Sequence, residues 1–110
     1  MKIHIIKKHA TKEEIHDMLK ALKSYIKLAV DIKREVVAGG GILHADCEAV
    51  LLKDGSKQQD IWGADWLPES KQITFEALIN IRPRQNNFSM RIQDTVIREK
   101  IEEIVRGLLE

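Results

Sequence analysis

A chain of 110 residues, 44% hydrophobic and 32% charged, has apolar material for one small core and too little length for two, so residues 1–110 are read as a single domain. A net charge of +1 gives no bulk electrostatic case for nucleic acid or an anionic membrane, and one cysteine excludes an intrachain disulfide and fits a reducing compartment. No apolar run is long enough for a signal-peptide core or a bilayer span, so a cytoplasmic location is expected.

Ile3, Ile5 and Ile6 predict a short strand over residues 2–7. Thr11 and Glu14 have the spacing of a capping box, in which hydroxyl and carboxylate satisfy the first free N–H groups of a helix. Ile15, Met18, Leu19 and Leu22 follow at helical spacing. From Tyr25 two patterns compete. A continued helix would place Ile15, Met18, Leu22, Tyr25, Ala29, Ile32 and Val36 on one stripe, and would pair with a second copy as a coiled coil. A strand would alternate Ile26, Leu28, Val30 and Ile32 with Lys27, Ala29, Asp31 and Lys33. The helix would run about 40 Å at about 1.5 Å per residue, against a radius of gyration near 13 Å for a compact domain of this size. The β-branched residues 30, 32, 36 and 37 also favour the strand, which is the reading adopted.

The stretch from Gly39 to Gly63 is predicted to be strand, turn and strand. Leu43, Ala45, Cys47, Ala49 and Leu51 share one parity, and His44, Asp46 and Glu48 the other. Asp54-Gly55 suits a two-residue type I′ turn. That register sets Cys47 opposite Trp62, Ala45 opposite Ala64, His44 opposite Asp65 and Asp46 opposite Gly63. Gly39-Gly40 as a further turn sets Ile32 opposite Cys47, Glu35 opposite His44 and Lys33 opposite Asp46. Pro68 ends the next strand. Ile73, Phe75, Ala77, Ile79 and Ile81 alternate with Thr74, Glu76, Leu78, Asn80 and Arg82 in a further half-buried strand that Pro83 stops, and Asn86-Asn87 reads as a turn. Asp94 caps a last helix carrying Ile97, Ile101, Ile104, Val105 and Leu108. The predicted architecture is α+β: a two-layer sandwich with a mainly antiparallel sheet, order β-α-β-β-β-β-α, and two helices on one face.

Two constellations carry chemistry. The first is the polar sheet face of His44, Asp46 and Glu48, with Glu35 and Asp65 beside it. A His–carboxylate set is the ligand chemistry of a divalent metal, and His44 with Asp46 could work as base and orienter. The bland alternative is a solvated face laced with ion pairs. The second is Arg82, Arg84, Gln85 and Asn87 in a loop, whose guanidinium and amide groups would hold a small anion. Its alternative is a loop whose amides satisfy their own turns. Gly39-Gly40-Gly41 lacks the Lys-Ser/Thr of a phosphate loop, and Cys47 lies on the core parity.

HAD at residues 44–46, DGS-x-Q-x-DIWG at 54–63 and INIRP-x-Q-x-N at 79–87 together resemble an uncharacterised family of small bacterial and archaeal proteins known only as a domain of unknown function. The similar stretches run from about Val30 to the last helix, departing at Ala64-Asp65. The resemblance implies no activity. From the residues, the expected function is a ligand- or partner-binding module that pairs with a second copy of itself. The alternative is a small metal-assisted or hydrolytic enzyme using the His/Asp/Glu row and an arginine clamp.

Overall fold

The computed structural model describes residues 2–110 and shows an α+β fold. Its elements are β1 (His4–Ile6), α1 (Lys12–Met18), β2 (Ile26–Asp31), β3 (Val36–Gly39), α2 (His44–Lys53), β4 (Ile61–Leu67), β5 (Gln72–Thr74) and α3 (Thr95–Leu109). Short 3-10 turns lie at Gln58–Asp60, Leu78–Asn80 and Pro83–Gln85. The five strands form one antiparallel sheet in the order β1-β3-β2-β4-β5.

The expected capping box is present: the Glu14 amide donates to Thr11 Oγ1 at 3.1 Å, and the Thr11 amide to Glu14 Oε1 at 2.9 Å. Asp94 caps α3 by accepting the Val96 amide at 2.8 Å. Alternation in β2 points Ile26, Leu28 and Val30 to one side, where they pack with Met18 of α1 and Ile101, Ile104, Val105 and Leu109 of α3. Trp62, Ala64 and Trp66 of β4 complete that core. Two helices therefore share one face, as the sequence predicts. Tyr25–Val37 is not a continued helix: α1 stops at Met18 and β2 begins at Ile26.

The largest correction concerns residues 43–51. They form α2 rather than a strand, and α2 lies on the opposite face of the sheet, where Cys47 and Leu51 pack on Ala29, Val36, Ala38 and Ile61. The sheet is thus covered on both sides. Asp54-Gly55 ends α2 in a Schellman arrangement: the Gly55 amide donates to Leu52 O and the Ser56 amide to Leu51 O, with Gly55 at φ +107°. The registers expected for 43–51 are replaced by those of β2 with β4, which set Ile26 opposite Trp66, Lys27 opposite Asp65 and Val30 opposite Trp62.

The β2–β3 turn falls at residues 32–35 instead of Gly39-Gly40. Asp31 Oδ1 accepts the Lys33 and Arg34 amides, each at 2.9 Å, and Glu35 takes the left-handed conformation at φ +59°. Gly40 has another use: at φ +108° a Cβ there would lie 2.6 Å from the Lys2 carbonyl. The predicted strand over 73–81 is regular only through Thr74. Beyond it Ile92 N bonds Phe75 O and Ala77 N bonds Met90 O, before the chain turns at Leu78–Asn80.

Candidate functional site

α2 starts over β4, and its first residue reaches down to the sheet. His44 Nε2 lies 2.8 Å from Asp65 Oδ1 and 3.1 Å from the Ala64 carbonyl oxygen. Both neighbours are acceptors, so Nε2 carries the hydrogen, and in the neutral ring Nδ1 keeps its lone pair. Asp65 Oδ2 accepts from Thr74 Oγ1 at 3.1 Å, which leaves each carboxylate oxygen engaged. The sequence expects His44 beside Asp65 through strand pairing. The structure brings them together by dropping a helix end onto β4.

The pair sits in the wall of a cleft of about 390 Å³, lined also by Lys27, Glu76, Leu43, Leu78 and Met90. That volume lies in the lower part of the range of small-molecule sites, roughly 300–1,000 Å³. Lys27 is the cross-strand partner of Asp65, yet the carboxylate is spent on His44 and Thr74. Among the described residues, neither Lys27 nor Glu76 has an ion-pair partner within 4.0 Å.

The expected metal set is not assembled. With about 3.6 residues per helical turn, His44 and Glu48 share a face of α2 and Asp46 turns away into solvent. Glu48 is 9% exposed and reaches Arg82 Nη2 at 3.3 Å instead of His44. Glu35 sits in the β2–β3 turn, 3.4 Å from Lys100 Nζ. Among the described residues no group of three or more His, Cys, Asp or Glu side chains is placed to hold a metal ion.

The expected anion clamp is used internally. Arg82 Nε donates to the Ile79 carbonyl at 2.9 Å, Nη1 to the Gln58 carbonyl at 2.6 Å and Nη2 to Glu48, while the guanidinium lies 4.8 Å from the Trp62 ring centroid. Gln85 Nε2 donates to the Gln59 carbonyl at 2.9 Å. Asn87 Nδ2 donates to the carbonyls of Asn80, Ser89 and Arg91, and its Oδ1 accepts the Gln93 amide. Of the two arginines, only Arg84 leaves its charge to solvent. Burial pushes the Glu48 carboxyl above its ordinary range, an effect the Arg82 charge partly offsets. Burial also lowers the Arg82 pKa, opposed by the charge of Glu48.

Two residues escaped the sequence reading. Asn80, read as an ordinary polar strand position, is fully buried and bonds four backbone groups. Trp62, placed by the sequence only as an apolar partner of Cys47, is a buried core residue that also carries the Arg82 guanidinium. Cys47 does match its expected core position: fully buried, its thiol donates to the Lys27 carbonyl, and burial pushes its pKa up to about 11. A thiol reagent at neutral pH should therefore label Cys47 only on unfolding, and its labelling rate should follow the urea transition. Fast labelling of the native protein would contradict this placement.

Residues 4–108 match the family described as "Protein of unknown function (DUF5674)". No curated protein and no solved structure matches the chain. With all but the extreme residues inside that match, and the fold closed around the motifs at 44–46, 54–63 and 79–87, the chain belongs to this family of unknown function.

Proposed function

We propose that the protein is a small-ligand-binding module whose site is the His44–Asp65 cleft. The observation that carries the reading is the 2.8 Å contact between His44 Nε2 and Asp65 in the cleft wall. It fixes the tautomer and aims Nδ1 away from the sheet, as an oriented hydrogen-bonding group requires. Lys27 supplies a cation for an anionic group on the ligand, and Leu43, Leu78 and Met90 supply an apolar wall. Glu76 in the same cleft disfavours a multiply charged anion, so a monocarboxylate with an apolar body is the best fit.

Titration with small aliphatic and aromatic monocarboxylates, followed by amide and imidazole NMR, tests this. Resonances of His44, Lys27 and Asp65 should move together, and His44→Ala should weaken binding about tenfold or more while the melting temperature changes little. Shifts scattered over the surface, or none at all, would remove the site. The enzyme reading stands second, favoured by the free Nδ1 of an Asp-oriented imidazole, the arrangement of a general base. It needs turnover of a small ester or amide that His44→Ala abolishes in a folded protein. Two further expectations belong to this proposal: self-association, supported by the exposure of Phe88 and Val96, and residence in the cytoplasm, supported by one buried thiol.

A further inference from the structure

Beside the His44 cleft, and sharing Leu78 and Ile79 with it, runs a larger trough of about 1070 Å³. We propose that this trough docks an acidic segment of a partner protein carrying large apolar side chains. Three observations support that occupant. Leu78 and Ile81, 72% and 45% exposed, present apolar surface together with Ile79 and Pro83 in a concave wall, which water-facing residues alone do not require. The charged residues lining the trough are Glu48, Lys57, Arg82 and Arg84. Glu48 and Arg82 cancel each other in a mostly buried pair, so the unpaired charge left is that of Lys57 and Arg84, both positive. A segment placing leucine or phenylalanine against Leu78 and Ile81, with aspartate or glutamate beside Lys57 and Arg84, satisfies both features.

The third observation is rigidity. Arg82 ties the Leu78–Asn80 turn to the Gln58–Asp60 turn and to α2, and Gln85 adds a bond to the Gln59 carbonyl. The walls are thus held in place before a partner arrives, which lowers the ordering cost of binding. The proposal does not depend on the His44 cleft having a ligand of its own.

Selection from a random dodecapeptide phage library on the full chain tests the proposal. Enriched sequences should combine aspartate or glutamate with leucine or phenylalanine. A synthetic copy of the leading sequence should bind by fluorescence anisotropy, and more weakly as salt rises. Leu78→Ser and Arg84→Glu, both surface changes that leave the core intact, should each weaken it about tenfold or more. His44→Ala should leave it unchanged. No enrichment, enrichment of basic sequences, or binding that survives both trough variants would overturn the proposal. So would loss of binding in His44→Ala, which would move the peptide site to the cleft. Sedimentation showing a dimer that Leu78→Ser dissociates would overturn it in favour of a second copy of this chain.

Discussion

Asn80→Ala is expected to destabilise the protein by roughly 3–5 kcal/mol, enough to lower the melting temperature by on the order of 10 °C or more. Asn80 has no solvent exposure. Its Oδ1 accepts the Gly63 amide at 2.7 Å, and its Nδ2 donates to the carbonyls of Gly63 at 3.0 Å, Met90 at 3.1 Å and Phe75 at 3.3 Å. β5 pairs with β4 only at Asp65, Trp66 and Leu67, so the outer edge of Gly63 has no strand partner among the described residues. The Asn80 carboxamide takes that place. Alanine would leave a buried N–H without a partner and strip three carbonyls of a donor, each loss costing about 1 kcal/mol or more. Asn80→Asp keeps the acceptor but sets a carboxylate among three carbonyl oxygens, and should cost as much at neutral pH. Urea unfolding measures both. A loss below about 1 kcal/mol for alanine would mean that water reaches Gly63 and replaces the amide.

The next largest effect belongs to Arg82→Met, expected to cost about 3–5 kcal/mol because it leaves Glu48 buried beside no cation. Glu48→Gln should cost far less, since its amide can still accept from Arg82. Changing both at once, with Glu48→Leu, should recover part of the Arg82→Met loss, as replacement of a buried pair by apolar groups often does. The pH dependence carries a sign that identifies the group. Burial raises the folded Glu48 pKa above its ordinary 4.5, so the folded state takes up this proton first as pH falls. The stability tied to Glu48 is therefore fully present below 4.5 and is lost as pH rises through the folded pKa. Removing the Arg82 charge should raise that pKa further and widen the window. Asp17 has the opposite sign: hydrogen bonds from His4 and Lys20 bring it down to about 2 from 3.8, so its contribution is present above 3.8 and is lost as pH falls. Subtracting the wild-type pH profile from that of Arg82→Met isolates Glu48. A difference that does not shrink as pH falls would show that the pair is not what Arg82 stabilises.

The α+β architecture was legible because its strongest patterns were local. Thr11 and Glu14, Asp94, and the stripe of Ile101, Ile104 and Val105 each specify a helix feature without outside help. α2 was not legible, for three physical reasons. Its residues alternate apolar and polar from Leu43 to Ala49 as a half-buried strand does, and its buried helical face is interrupted by the charged Glu48. Its first turn has Leu43 at the cap position, where a capping side chain would mark a helix start. Its end is written Asp54-Gly55, a pair that serves a type I′ hairpin and a glycine-terminated helix equally well. The site suffered accordingly. Asp46 left it because a helix turns residue i+2 away, whereas His44 and Asp65 meet through a helix end rather than through the strand pairing that the alternation predicts. The roles of Asn80 and Gln85 lie in contacts across sequence gaps that no local pattern records, whereas Asn87 satisfies its own loop, as the turn reading allows.

The placement of α3 bears on the life of the chain while it is being made. The sheet face formed by Ile26, Leu28, Val30, Trp62 and Trp66 is covered mainly by Ile101, Ile104, Val105 and Leu109, which are translated after every strand. Glu110 then ties this helix back: its carboxylate accepts from Trp66 Nε1 at 2.9 Å, and its carbonyl lies 3.0 Å from His9 Nε2. A nascent chain that has completed its sheet but not α3 carries an open tryptophan-lined face, the kind of surface that chaperones hold and that drives aggregation. For this protein the step from sticky intermediate to finished domain comes with the addition of α3, and a chain stopped within α3 should give insoluble product rather than a shortened working form.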